Sequence, residues 1–243
     1  YGGSLTLGHT ILGNDLRFFL EYRGEYVNIT QTTGGLLYTA NGNQNVSVGL
    51  RLPLANLFRS GFTSSVTASI TYDTRDNRVS PTRGIYASLS TQVADPYIGS
   101  QNTFIRHHAF IRGYYPLFGG VVLKANVEGG LITSRDPAGV PIFEREFLGG
   151  ILDVRGFFLR SLGPRLGIPR TIDPNPGGDP YGEPIGGNIK FYYNLEIEFP
   201  IIDSVGLRGV IFTDAGNVWN LERSICSGPR ADNFFPTSDP CGH

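Results

Sequence analysis

The chain has 243 residues, rich in glycine (33 residues) and aromatics (12%) but with only 17% charged residues, against about 25% in ordinary globular domains. A net charge of -1 gives no basic surface for nucleic acid or anionic lipid. No run approaches the roughly 18 consecutive apolar residues of a membrane-spanning helix, so the composition points to many strands, tight turns and a wide apolar surface.

Taken in chain order, the dominant signal is period-2 alternation. A weak version near residues 3–12 comes first. In "DLRFFLEYRGEY", Leu16, Phe18, Leu20, Tyr22 and Tyr26 share one face, and Arg17, Glu21, Arg23 and Glu25 the other. In "FTSSVTASITYDTR", Phe62, Val66, Ala68, Ile70 and Tyr72 oppose a row of Ser, Thr, Asp73 and Arg75. Weaker alternation follows near 84–94 and 104–116. In "VVLKANVEGGL", Val121, Leu123, Ala125, Val127 and Leu131 oppose Lys124, Asn126 and Glu128. In "KFYYNLEIEF", Tyr193, Leu195, Ile197 and Phe199 oppose Asn194, Glu196 and Glu198, and a last, weaker strand spans 205–218. In that strand Asp214 shares parity with Arg208, although Phe212 interrupts the polar row. Eight strands, each apolar on one face and polar on the other, are therefore predicted.

A soluble sandwich shows the same alternation, so two further features decide the class. Aromatics sit near strand ends on the apolar face (Tyr22, Tyr26, Tyr72, Tyr115), as in an aromatic girdle. Connections also alternate in length: "LGND", "NRVSPTRG", "LFGG" and "PIIDSVG" are short, while those between are roughly 30, 10 and 50 residues, the pattern of short periplasmic turns and long outer loops. Only a closed barrel satisfies every backbone hydrogen bond of strands in lipid. The expected fold is an all-β, transmembrane antiparallel β-barrel region covering residues 1–243, with a long connection at about 134–187 and a polar extracellular loop at about 220–243. The tail ends in a polar segment rather than a strand, so these are read as consecutive strands of a larger barrel. The start, "YGGSLTLGHT", carries no signal-peptide pattern and no Met, and reads as a processed chain or a fragment.

Cys226 and Cys241 lie in a polar, Pro-rich segment with 14 residues between them and no His at zinc spacing. They are read as a disulfide of an oxidising compartment, with two unpaired thiols as the alternative; in the chain-entropy account such a bridge contributes about 3 kcal/mol. Asp73, Asp76 and Asn77 in "YDTRDNRVSPTRG" resemble calcium ligands, yet the loop lacks the glycine and terminal Glu of a calcium site, and a polar turn shaped by Pro81 and Gly84 is expected. "GGDPYGEP" loses amide donors at Pro180 and Pro184, which excludes a phosphate loop. Asn28 and Asn45 stand in Asn-x-Ser/Thr sequons. His9, His107, His108 and His243 have neither metal spacing nor a nucleophile partner. No enzymatic activity, metal or cofactor is expected.

One stretch resists the strand pattern. "ILDVRGFFLR" sets Arg155 and Gly156 in an apolar run. From the residues alone, a surface arginine in a long loop is the simpler reading. However, "VRGF" (Val154, Arg155, Gly156, Phe157) followed by "LGP" resembles the signature of a long loop in the BamA family of outer-membrane protein assembly factors. "YDTRDNRVSPTRG" upstream, and "GGN", "NLEIEFP" and "FTDAGNVW" downstream, occur in family order. The insertion "RTIDPNPGGDPYGEPIGGN" looks more like BamA than like two-partner secretion transporters or TamA, which remain the alternative.

The resemblance implies a sixteen-stranded barrel of which this chain supplies the sixth to thirteenth strands, without the periplasmic POTRA domains or the terminal strands. It implies that the loop folds into the lumen, where Arg155 meets Glu196 and Asp214, Gly156 makes a tight turn and Phe157 wedges against the wall. An insertase in the bacterial outer membrane is implied. Its partners would be unfolded outer-membrane protein clients, periplasmic accessory lipoproteins and outer-membrane lipid, with no nucleic acid. A porin-type pore and a barrel-embedded hydrolase are more distant.

Overall fold

In the computed structural model, which describes residues 1–13, 15–28, 60–136, 139–166 and 183–220, eight strands form one antiparallel sheet in chain order. They are β1 (Gly2–Leu12), β2 (Leu16–Val27), β3 (Gly61–Asp73), β4 (Gly84–Ala94), β5 (Phe104–Pro116), β6 (Val122–Thr133), β9 (Ile189–Ile202) and β10 (Leu207–Trp219). Between β6 and β9, a two-residue ladder joins β7 (Arg165–Leu166) to β8 (Glu183–Pro184). No alternation announces this pair, because two residues are too short to carry a period.

The alternation becomes two faces through the register. Phe18 pairs with Ile70, Ile70 with Leu89 and Leu89 with Ala109, so one apolar row crosses four strands. A second row runs from Tyr72 through Ala87, Ile111 and Val127 to Tyr193. A one-residue slip in any strand would turn its whole apolar set to the polar face. The large residues of these rows are solvent-exposed, as are the girdle aromatics Tyr22, Tyr26, Tyr72 and Tyr115. So broad an exposed apolar face calls for an apolar medium. His107 breaks its row, but its Nδ1 lies 3.0 Å from the hydroxyl of Thr91, its cross-strand neighbour.

The opposite face is polar and paired across strands. Lys124 Nζ bonds Glu198 at 2.5 Å, and Arg208 closes on the same carboxylate. Asn126 donates to Asn194 at 2.8 Å and accepts from Arg112 Nε at 3.2 Å. Glu128 accepts from the Tyr192 hydroxyl at 2.7 Å and Lys190 Nζ at 3.3 Å, and lies 3.0 Å from His108 Nε2.

Short connections gather at one end of the sheet. The 74–83 turn is organised by one carboxylate: Asp76 accepts from the Thr82 hydroxyl (2.6 Å) and from the amides of Asn77 (2.9 Å), Thr82 (3.0 Å) and Arg83 (3.1 Å). Its oxygens are thus occupied by the turn itself, and among the described residues no group of three or more His, Cys, Asp or Glu could hold a metal ion. The Thr82 hydroxyl, helped by these amides, holds the Asp76 carboxyl below the usual carboxylate range. A folded value below the unfolded one stabilises the turn above the ordinary Asp pKa of about 3.9, and that contribution fades as pH falls toward the folded value. We expect the Thr82 and Arg83 amides to stay protected from neutral pH to about pH 4 and to lose protection on further acidification, and Asp76→Ala to remove it throughout. Amide exchange scaled to intrinsic rates reads this directly, and unchanged protection in Asp76→Ala would mean that the turn is held otherwise.

Candidate functional site

The described parts of the 134–188 connection (134–136, 139–166 and 183–188) run back over the polar face. Two small apolar clusters seat it. Val140 packs with Ala94, Phe104 and Ile132, and Leu148 and Val154 pack with Tyr192 and Val218. Gly187 lets the chain rejoin β9 closely, since a Cβ there would lie 2.2 Å from the Trp219 carbonyl oxygen. The "GGN" stretch therefore has a packing role.

Arg155 is the centre of the arrangement. Its Nε and Nη2 donate to the two carboxylate oxygens of Asp214, each at 2.6 Å, and its backbone amide donates to the same group at 3.0 Å. Nη1 donates to Glu196 at 2.5 Å. The guanidinium also lies over the Phe212 ring, 3.6 Å from its centroid. Phe212 pairs with Glu196 and Asp214 with Asn194, so all these groups share the polar face. The aromatic that interrupts the polar parity of β10 is thus the platform on which the arginine rests, a cation–π contact. A planar fork against a carboxylate, stacked on a ring, is geometry that only arginine supplies. The bonds to Asp214, ahead of those to Glu196, raise the Arg155 pKa despite desolvation, so the group stays charged.

The flanking residues divide in role. Val154 is buried, and the Asp153 carbonyl accepts from Asn194 at 2.7 Å. Burial pushes the Asp153 carboxyl up from its ordinary value. Gly156 has φ of 88°, a left-handed conformation that favours glycine, with open space where a side chain would sit. Phe157 is 52% exposed, so the described strands do not bury it. Beyond the left-handed turn at Gly156, Phe158 and Leu159 are exposed as well.

A second contact has no motif behind it. Glu144, 3% exposed, receives Arg23 from β2 at 3.1 Å and Arg106 from β5 at 2.9 Å. Arg106 also donates to the Glu144 carbonyl at 2.5 Å and to Gln92 at 2.6 Å. Strand parity already places Arg23 on the polar face. No local pattern identifies Glu144, because its partners are 121 and 38 residues away. Cys226 and Cys241 lie outside the described residues, as does most of the 220–243 segment.

Residues 1–234 match the Omp85 superfamily domain. The chain belongs to the Omp85 superfamily. Among its relatives, the outer membrane protein assembly factor BamA of Nitratidesulfovibrio vulgaris is 31% identical over 146 residues, which is 60% of this chain and 17% of that protein. BamA of Neisseria meningitidis serogroup B is 28% identical over 174 residues, 66% of this chain and 20% of that protein. The sorting and assembly machinery component 50 homolog of Bos taurus is 26% identical over 175 residues, covering 69% and 34%. The sheet also superposes on the crystal structure of BamA from Haemophilus ducreyi lacking POTRA domains 1–3. The TM-score is 0.74 at 21% identity, covering all of this chain and 45% of that one. That likeness bears on fold alone, and the chain spans less than half the length of each of these proteins.

Proposed function

We propose that this Omp85 chain is wall and internal loop of a β-barrel machine that assembles other β-barrel proteins in an outer membrane, and that the membrane is bacterial. The observation that carries this reading is the Arg155 fork on Asp214 and Glu196, which holds a long loop against the polar face while the other face stays apolar. Names of relatives on both the BamA and the sorting-and-assembly side support the same activity. Additional strands complete the barrel to sixteen, the polar face lines its lumen, and the 134–187 loop lies inside.

In this reading the protein accepts unfolded clients, with accessory lipoproteins on the periplasmic side, and lowers the barrier to their entry into lipid. It works through geometry and membrane perturbation, without covalent chemistry on the client. Depletion of the full-length protein in its host tests this. Loss of many unrelated outer-membrane barrels supports assembly, whereas failure to export one polypeptide with barrels intact would instead indicate a secretion transporter.

A further inference from the structure

The Arg155 contact holds the loop at one end only. It reaches β9 and β10, and the earlier part of the loop is seated separately, by the Val140 cluster and by Glu146 on Lys190 at 3.3 Å. The Glu144 clasp lies eleven residues earlier, and it engages β2 and β5. In the order β1-β2-β3-β4-β5-β6-β9-β10, these strand pairs do not overlap. The charges are also reversed: the loop offers a carboxylate to two arginines of the wall at one point, and an arginine to two carboxylates of the wall at the other.

Arg23 and Arg106 stand on strands three steps apart, about 14 Å at roughly 4.8 Å per step. Both reach one carboxylate, so Glu144 ties strands that do not themselves pair. Glu144 is the carboxylate the two arginines share, and removing its charge would leave them on separate carboxylates, Arg23 with only Glu25, at 3.2 Å, and Arg106 with only Glu146, at 3.7 Å.

We propose that residues 144–155 form a strut across the polar face, fixed independently at both ends, and that Glu144 is a positioning residue tying the β2–β5 part of the wall to the part held by Arg155. The strut follows from the geometry; its bearing on client assembly rests on the function proposed above.

The test uses the full-length protein in lipid bilayers, with peptide-resolved amide exchange and a spin-label distance between Leu20→Cys on β2 and Leu195→Cys on β9. Glu144→Gln, which keeps shape and removes charge, should speed exchange at 142–146 by about tenfold or more while the 153–156 segment stays protected. The distance distribution should broaden, Glu144→Asp should restore part of both effects, and Arg155→Ala should release 153–156 first. Arg23→Gln, which leaves Glu144 and Arg106 paired, should give a smaller release in the same segment and covers the case in which Glu144→Gln does not fold. Unchanged exchange at 142–146, release of both ends together, or an unchanged distance distribution would overturn the strut. Because these readouts involve no client, their failure is distinct from failure of the assembly function.

Discussion

Arg155→Ala is expected to leave the eight-stranded sheet intact and free the long loop, seen as protease cleavage within residues 134–187. Removing one member of a buried ion pair costs roughly 3–5 kcal/mol. Asp214 is only 2% exposed, but Arg155 and Glu196 are 23% and 25% exposed, so their bonds are partly replaced by water. We therefore place the local cost near 3 kcal/mol, at the low end of that range. When the loop recloses faster than it is cut, cleavage follows the open population, and 3 kcal/mol raises it on the order of a hundredfold. Arg155→Lys should recover only part of this, since an ammonium cannot reproduce the fork on Asp214, the bond to Glu196 and the stacking on Phe212 together. Arg155→Glu should be the most damaging, because it brings three carboxylates together. Loop cleavage in Arg155→Ala no faster than in the unaltered protein would show that the apolar clusters and the Glu144 contacts hold the loop without Arg155.

The second large effect lies on the opposite face. Leu195 and Val127 are 42% and 40% exposed, near the middles of β9 and β6. Arginine at either position should destabilise the protein in a bilayer by roughly 2–4 kcal/mol, the cost of a charge at the bilayer midplane of a β-barrel. The signature differs from that of Arg155→Ala. Here the whole sheet loses stability in lipid, while the loop keeps its contacts until the sheet itself unfolds. Urea titration of the vesicle-embedded protein reads the first effect and loop proteolysis the second. Arginine at position 195 tolerated without loss would mean that this face does not meet lipid.

The contrast between Leu195 and Glu196 explains how much the sequence discloses. A period of two is a local property of the chain, so strands, their faces and the parity of Glu196 and Asp214 are legible from alternation. The rhythm of connection lengths likewise anticipates the antiparallel, in-order sheet. Contacts that join distant segments are not written locally. The resemblance names Arg155, Glu196 and Asp214 together, and their side chains meet in the structure. Glu144 had no such help, because nothing in "VPIFEREF" distinguishes a clasp from a solvated acid. Phe212 looked like a flaw in a polar row because periodicity carries no knowledge of the guanidinium above it. Phe157, which the resemblance alone sets at the wall, is half exposed just beyond the left-handed turn at Gly156.

Reconstitution tests the central claim most directly. The full-length protein is placed in vesicles of outer-membrane lipid, and the folding rates of several unrelated, urea-unfolded outer-membrane barrels into those vesicles are measured by their gel-mobility shift. Assembly activity predicts faster folding of several clients than in empty vesicles, with the gain reduced by Arg155→Ala. Rates equal to those of empty vesicles for every client would contradict it.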